Sequence, residues 1–155
     1  IFNGKDATKY FNKKAIFIGD QIDLNNNNVL SFSARGIQSD NYSNDLVYSM
    51  AYLYRSNQNR LYDVRLNYSK GFRTPAIKEL YYDFQGHNPP VIGNPNLNPT
   101  TNNFFSISVD KKMKDNNFSV EFFYNDVDDL IDTKTVVDEF GDGVLLYSNF
   151  SSVLV

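Results

Sequence analysis

The stretch Arg60-Leu61-Tyr62-Asp63-Val64-Arg65-Leu66-Asn67-Tyr68-Ser69-Lys70 changes character at every residue. Between its terminal cations the even positions are Tyr62, Val64, Leu66 and Tyr68, and the odd ones are Leu61, Asp63, Arg65, Asn67 and Ser69. Successive side chains of an extended chain point to opposite faces, so this is a strand with one apolar face and one polar or charged face. The segment before it repeats the arrangement. Leu46, Tyr48, Met50, Tyr52 and Tyr54 share one face, against Val47, Ser49, Ala51, Leu53 and Arg55 on the other. The four turn-formers Ser56-Asn57-Gln58-Asn59 between the two segments make them a hairpin.

The rhythm extends in both directions. Phe105, Ile107 and Val109 alternate with Ser106, Ser108 and Asp110, and Lys112 to Asn117 turns the chain into Phe118, Val120, Phe122 and Tyr124. A weaker pair, Ala15 to Leu24 and Val29 to Gln38, is joined by Asn25-Asn26-Asn27-Asn28. Near the C-terminus, Phe140-Gly141-Asp142-Gly143 separates Thr133 to Asp138 from Val144 to Val155 as a further hairpin. The expectation is an all-β antiparallel meander of about seven strands, most of roughly ten residues, with three short turns and longer connections between them. A tilted strand of about 9 to 11 residues crosses the hydrocarbon of a bilayer. Tyrosines bracket the apolar faces, as Tyr62 and Tyr68 bracket Val64 and Leu66, which suits a membrane-water boundary. Asp63, Arg65, Asn67 and Glu121 on the opposite face call for water. Together these features predict a segment of a transmembrane β-barrel. A soluble β-sandwich or lipocalin-like barrel has the same alternation and stays open on periodicity alone.

Composition narrows the function. The chain has 155 residues, eleven tyrosines, thirteen phenylalanines, no cysteine, no tryptophan and a single histidine, His87. Disulfide frameworks, thiolate chemistry and cysteine-ligated metals are excluded, as is a multi-histidine site. Fifteen Lys and Arg against eighteen Asp and Glu, a net charge of -3, give no field for nucleic acid. Apolar residues make up 41% although the mean hydropathy is -0.45, so they are dispersed among polar ones. No Gly-x-Ser-x-Gly, phosphate loop or metal-ligand cluster supports catalysis. Asp126, Asp128, Asp129 and Asp132 have oxygen donors suited to calcium, but lack the glycine and closing glutamate of an EF-hand. The strand-like run from Leu145 to Val155 gives the expectation of an excerpt from a longer protein.

Residues 71–100 form the specific segment, a loop of about thirty residues holding all five prolines. A connection of that length with so much fixed backbone is usually functional. Pro75 in the first turn and Thr74 as a cap predict a short helix over Ala76 to Tyr81. Within this segment Gly71-Phe72-Arg73-Thr74-Pro75, then Lys78-Glu79-Leu80-Tyr81, then Gly93-Asn94-Pro95-Asn96-Leu97 with Pro99, resemble the paired boxes of TonB-dependent outer-membrane receptors. Phe122 to Ile131 resembles the strand that follows them in that family. The boxes cover about a fifth of the chain, and Thr74 departs from the alanine common there. The asparagine usage is most similar to receptors of the Bacteroidetes.

The resemblance implies a roughly 22-stranded barrel in the outer membrane of a Gram-negative bacterium, filled by a plug domain, with 71–100 as an extracellular loop. This chain holds no recognisable plug or TonB-contacting segment. It is expected to be a partial barrel, because seven strands cannot close one. The implied function is TonB-energised uptake of a metal chelate: haem, a ferric siderophore or cobalamin. The implied partners are the TonB complex, through a plug outside this chain, and outer-membrane lipid, with room for a surface lipoprotein; no intrinsic cofactor is implied. A passive pore or adhesin barrel and a secreted soluble binding module are the competing classes. His87 lies between the boxes, where haem receptors of the family place an iron ligand; Gly86-His87-Asn88-Pro89 reads first as a turn with its imidazole in water, and second as that ligand. Tyr81 and Tyr82 are candidates to stack on a ligand or to pack on the barrel rim. Arg73 reads first as the partner of Glu79 or Asp83, and second as a ligand contact.

Overall fold

The computed structural model describes residues 12–40, 42–56, 61–113, 116–137, 139–151 and 153–154. Its elements in chain order are β1 (Lys13–Asn25), β2 (Asn28–Ser39), β3 (Tyr42–Arg55), β4 (Tyr62–Arg73), α1 (Ile77–Tyr81), β5 (Asp83–Phe84), β6 (Val91–Ile92), β7 (Thr100–Lys112), β8 (Asn117–Asp128), β9 (Leu130–Val137), β10 (Gly143–Phe150) and β11 (Val153–Leu154). One sheet has the order β1-β2-β3-β4-β7-β8-β11, with antiparallel neighbours throughout. It is open, as a partial barrel must be. Residues 57–60 and 114–115, on which two of the expected turns rest, lie outside the described residues, as do Asp138, Ser152 and Val155.

Register turns the one-strand alternation into two surfaces. Ile22 faces Leu30, Leu30 faces Tyr52, Tyr52 faces Leu66, Leu66 faces Ile107 and Ile107 faces Phe122, an apolar row crossing six strands. One residue along, Ala51, Asn67 and Ser106 stand side by side on the other surface. There Asn67 donates to Ser106 Oγ at 3.1 Å, Ser33 and Ser49 share a hydrogen bond at 2.8 Å, and Arg65 pairs with Asp110. A one-residue slip would exchange the surfaces, so the shared pattern fixes the register. The apolar surface that carries this row is largely uncovered: Phe122 is 71% exposed and Met50, in the neighbouring row, 53%. Among the described residues no second sheet covers it, so it does not serve there as a sandwich core.

The structure corrects several boundaries. The main strands other than the short β11 run 12 to 14 residues, not roughly ten. Asn25 and Asn28 are paired, so that turn is Asn26-Asn27 alone, closed by Asn25 Oδ1 accepting the amides of Asn27 and Asn28 at 2.9 and 3.0 Å. The β2–β3 connection, expected to be long, is short, because Ser39 pairs with Tyr42. Gly71, Phe72 and Arg73 pair with Asn102, Thr101 and Thr100, so β4 takes up the first three residues of the first box and the connection is 74–99.

At Asp129 the β8 strand breaks. The residue takes φ +52°, a left-handed conformation that a short polar side chain tolerates. The chain continues as β9, turns through Gly141 at φ +89°, and returns as β10 and then β11, which pairs with β8 again. This bent hairpin belongs to a second sheet of order β5-β6-β10-β9, at the same end of the main sheet as loop 74–99.

Candidate functional site: a stapled loop at the sheet rim

The two boxes supply the end of β4 and the base of loop 74–99, and most of their residues have a structural task. Arg73, the last residue of β4, donates through Nη1 to both carboxylate oxygens of Glu79, at 3.1 and 2.9 Å. Glu79 Oε2 also accepts the Ala76 amide at 2.7 Å. That is half of a capping box: the carboxylate three positions into the helix satisfies an orphan donor at its start. Ala76 is the N-cap, and Thr74 is not. Thr74 Oγ1 instead accepts Lys13 Nζ, which ties the loop to β1, and Pro75 precedes the cap rather than opening the helix. The sequence reading missed this because Lys13 is remote in the chain.

Glu79 is 8% exposed, so its charge is compensated by hydrogen bonds, whereas the Arg73 side chain is 47% exposed and screened by water. Arg73 thus pairs with Glu79, one of the two carboxylates the sequence offers it. Arg73→Ala is expected to destabilise the start of α1 by about 1 kcal/mol, a roughly fivefold rise in hydrogen exchange at Leu80, whose amide bonds the Ala76 carbonyl. If ligand affinity fell while that exchange stayed unchanged, Arg73 would be a ligand contact instead.

The second box folds back onto the helix. Gly93 donates to the Tyr82 carbonyl at 2.6 Å and Asn94 to the Glu79 carbonyl at 2.8 Å. A Cβ on Gly93 would stand 2.7 Å from Leu80 C, Tyr81 N and Tyr82 N, so only glycine allows this backbone approach. Asn94 Oδ1 accepts the Asn96 amide at 2.9 Å, and its Nδ2 donates to the Tyr147 carbonyl at 3.1 Å. Leu97 enters a small core with Leu80 and Ile131, and Tyr147 packs against it. Pro95 and Asn96 remain exposed. In the first box, Gly71 leaves room for Asn102, which donates to Asn125 at 3.0 Å, and Phe72 is half-buried.

The segment between the boxes carries the exposed chemistry. Tyr82 stacks on Phe84 with ring centroids 5.6 Å apart, and His87 lies 6.4 Å from Phe84. His87 Nδ1 is 2.8 Å from the Pro89 carbonyl, which can only accept, so Nδ1 is the donor in this contact and Nε2 stands outside it. Tyr81, Tyr82, Phe84 and His87 are all exposed, with Tyr81 on α1. Sequence reasoning overlooked Phe84, although the run Tyr81-Tyr82-Asp83-Phe84 announces it. It also overlooked Asn149 and Tyr147, which no local signal links to the loop. Among the described residues, no three His, Asp or Glu side chains converge on a metal-sized site. At the strand break the Asp129 backbone carbonyl accepts Thr100 Oγ1 and Asn149 Nδ2, both at 2.9 Å.

Comparison with known proteins places this geometry. Solved structures similar in fold include the siderophore receptor PirA from Pseudomonas aeruginosa, with a TM-score of 0.80 at 16% identity over 93% of this chain and 29% of that one. A ferric enterobactin receptor, PfeA, from Pseudomonas aeruginosa in complex with enterobactin gives 0.74 at 15% identity over 94% and 23%. The copper transporter OprC gives 0.74 at 11% identity over 93% and 25%. The chain thus spans less than a third of the length of these structures, and at such identities they share its fold. No curated protein matches the sequence. The model of the TonB dependent receptor-like β-barrel family matches residues 2–153, nearly the whole chain. The chain accordingly belongs to the TonB-dependent receptor β-barrel family.

Proposed function

We propose that this chain is part of an outer-membrane receptor that takes up a metal chelate with energy supplied through TonB, and that loop 74–99 stands on the extracellular side and contacts the ligand. The observation that carries the reading is the exposed cluster Tyr82, Phe84 and His87 on a loop whose base is fixed by buried Glu79, Leu80 and Leu97. A rigid base with an aromatic and imidazole surface suits capture of a flat or ring-bearing ligand. The tight turn at Asn26-Asn27 lies at the opposite end of the main sheet; the short β2–β3 connection shares the loop's end, so the length of 74–99 is what marks that end as the outer one. Similar folds serve a siderophore receptor, a ferric enterobactin receptor and a copper transporter, which favours a ferric siderophore as the cargo. We assign no catalytic residue. The TonB complex would engage a plug domain outside this chain.

Haem is the second reading, and one observation favours it: the Pro89 contact leaves His87 Nε2 free to bind iron. Cobalamin remains a third cargo for the same assay, and a surface lipoprotein a further partner. The test is spectroscopic titration of the full-length receptor with haemin and with ferric catecholate, in wild type, His87→Ala and Tyr82→Ala. For a siderophore receptor, Tyr82→Ala should weaken catecholate binding about fivefold, the loss of about 1 kcal/mol of ring contact. His87→Ala should leave the haemin spectrum unchanged. A His87-dependent Soret shift would install haem instead. Uptake that persists when the inner membrane is de-energised would make the barrel a passive pore.

A further inference from the structure

The loop that is proposed to contact the ligand has a structural partner that no motif announces. Loop 74–99 and the β9–β10 hairpin are joined in three independent ways. Along the backbone, β6 runs parallel to β10 with Val91 opposite Leu145 and Ile92 opposite Leu146, and the Leu145 amide donates to the Pro90 carbonyl at 2.8 Å. In the apolar layer, Leu80 and Leu97 from the loop close on Ile131 from β9 and Tyr147 from β10. At the base, one side chain links three segments. Asn149 Oδ1 accepts the Asn98 amide at 2.8 Å, while its Nδ2 donates to the Asn98 carbonyl at 3.0 Å and to the Asp129 carbonyl at 2.9 Å. The amide orientation is set by these partners, since a flipped side chain would face two carbonyls with its oxygen.

We propose that loop 74–99 and the β9–β10 hairpin form one cooperative body, with Asn149 as its positioning residue, so that neither segment closes on a ligand by itself. The proposal follows from how the contacts are shared. Three of the four core residues are buried to 8% exposure or less, and they come from both segments, so opening either one exposes the same core. Neither segment has a separate core among the described residues. The ligand-facing part of the idea rests on the function proposed above, but the cooperativity does not.

The test uses the full-length receptor in lipid vesicles. In hydrogen exchange without ligand, Asn149→Ala should accelerate the amides of Gly93 and Asn94 in the loop and of Leu145 in the hairpin together, about tenfold each. Acceleration confined to Asn98 and its immediate neighbours would overturn the proposal. A second variant, Ile92→Cys with Leu146→Cys, uses the absence of native cysteine from this chain. Its disulfide should form without ligand and should restore slow exchange and ligand affinity when combined with Asn149→Ala. In the otherwise wild-type receptor, binding and uptake should stay within about twofold of the reduced form. Failure of the cross-link to form would refute the shared body. So would loss of uptake on oxidation that reduction reverses, because the two segments would then have to part. Should Asn149→Ala fail to assemble, the cross-link alone decides. Should the wild type bind no chelate, the function proposal fails, while exchange and cross-linking, both read without ligand, still judge this one.

Discussion

Leu66→Arg will cost the receptor about 2–4 kcal/mol of folding free energy in a bilayer, whereas Asn67→Arg one position along will cost less than about 1 kcal/mol. Leu66 sits in mid-strand between Tyr52 and Ile107, within the apolar row that runs from Ile22 to Phe122. A guanidinium there has only hydrocarbon around it and must thin the bilayer or draw in water to stay charged. Asn67 points the other way, between Ala51 and Ser106, on the surface that already holds the Arg65–Asp110 pair. The measurement is denaturant-driven folding of the full-length receptor in lipid vesicles, followed by heat-modifiable gel migration. Equal losses on the two surfaces would mean that neither faces lipid, and the barrel reading would fall. The prediction is strong because it contrasts two neighbours in one strand, so general effects of a bulky cation cancel.

Gly93→Ala should have the other large effect, and at a different level of the structure. Its added Cβ would meet three backbone atoms of α1 and its C-terminal end at 2.7 Å, and backbone cannot swing aside as a side chain can. Overpacking of this kind costs about 1–3 kcal/mol. The second box would lift from the helix and release the Gly93–Tyr82 and Asn94–Glu79 hydrogen bonds. The main sheet does not depend on them, so the barrel should assemble normally while loop 74–99 becomes sensitive to protease. Chelate affinity should fall by about tenfold or more, since 1.4 kcal/mol is a factor of ten. Gly86→Ala is the control: its Cβ would meet only the exposed, movable ring of Phe84, at 3.1 Å. Similar losses from both glycines would show that the loop is not held by close approach of Gly93 to the helix.

The two predictions differ in how far the sequence foresees them. The lipid and lumen surfaces are legible in Arg60 to Lys70 alone, because the direction of a strand side chain depends on nothing but its parity along the chain. The Arg73–Glu79 pair was legible too, since six residues and a helical turn bring the two groups together without help from elsewhere. The Thr74 cap was misjudged. A better-placed carboxylate at Glu79 serves the helix start, and Lys13 reaches Thr74 from a strand 61 positions away. Gly93 was quoted as part of a box, but only the packed helix shows why a side chain is forbidden there.

By itself, then, the sequence determined the properties that are local to an extended backbone: the period of two, the two surfaces it creates, the antiparallel meander, and the motif-bearing loop as the exceptional segment. The tertiary structure alone decided which remote groups meet. Leu80 and Leu97 find Ile131 and Tyr147, β6 finds the edge of β10, and Asn149 joins Asn98 to Asp129. The left-handed residue Asp129 stands where β8 gives way to the hairpin that carries Ile131, Tyr147 and Asn149 into the second sheet. A bend at one residue redirects some twenty residues that follow, and nothing in their own alternation records where the bend will take them.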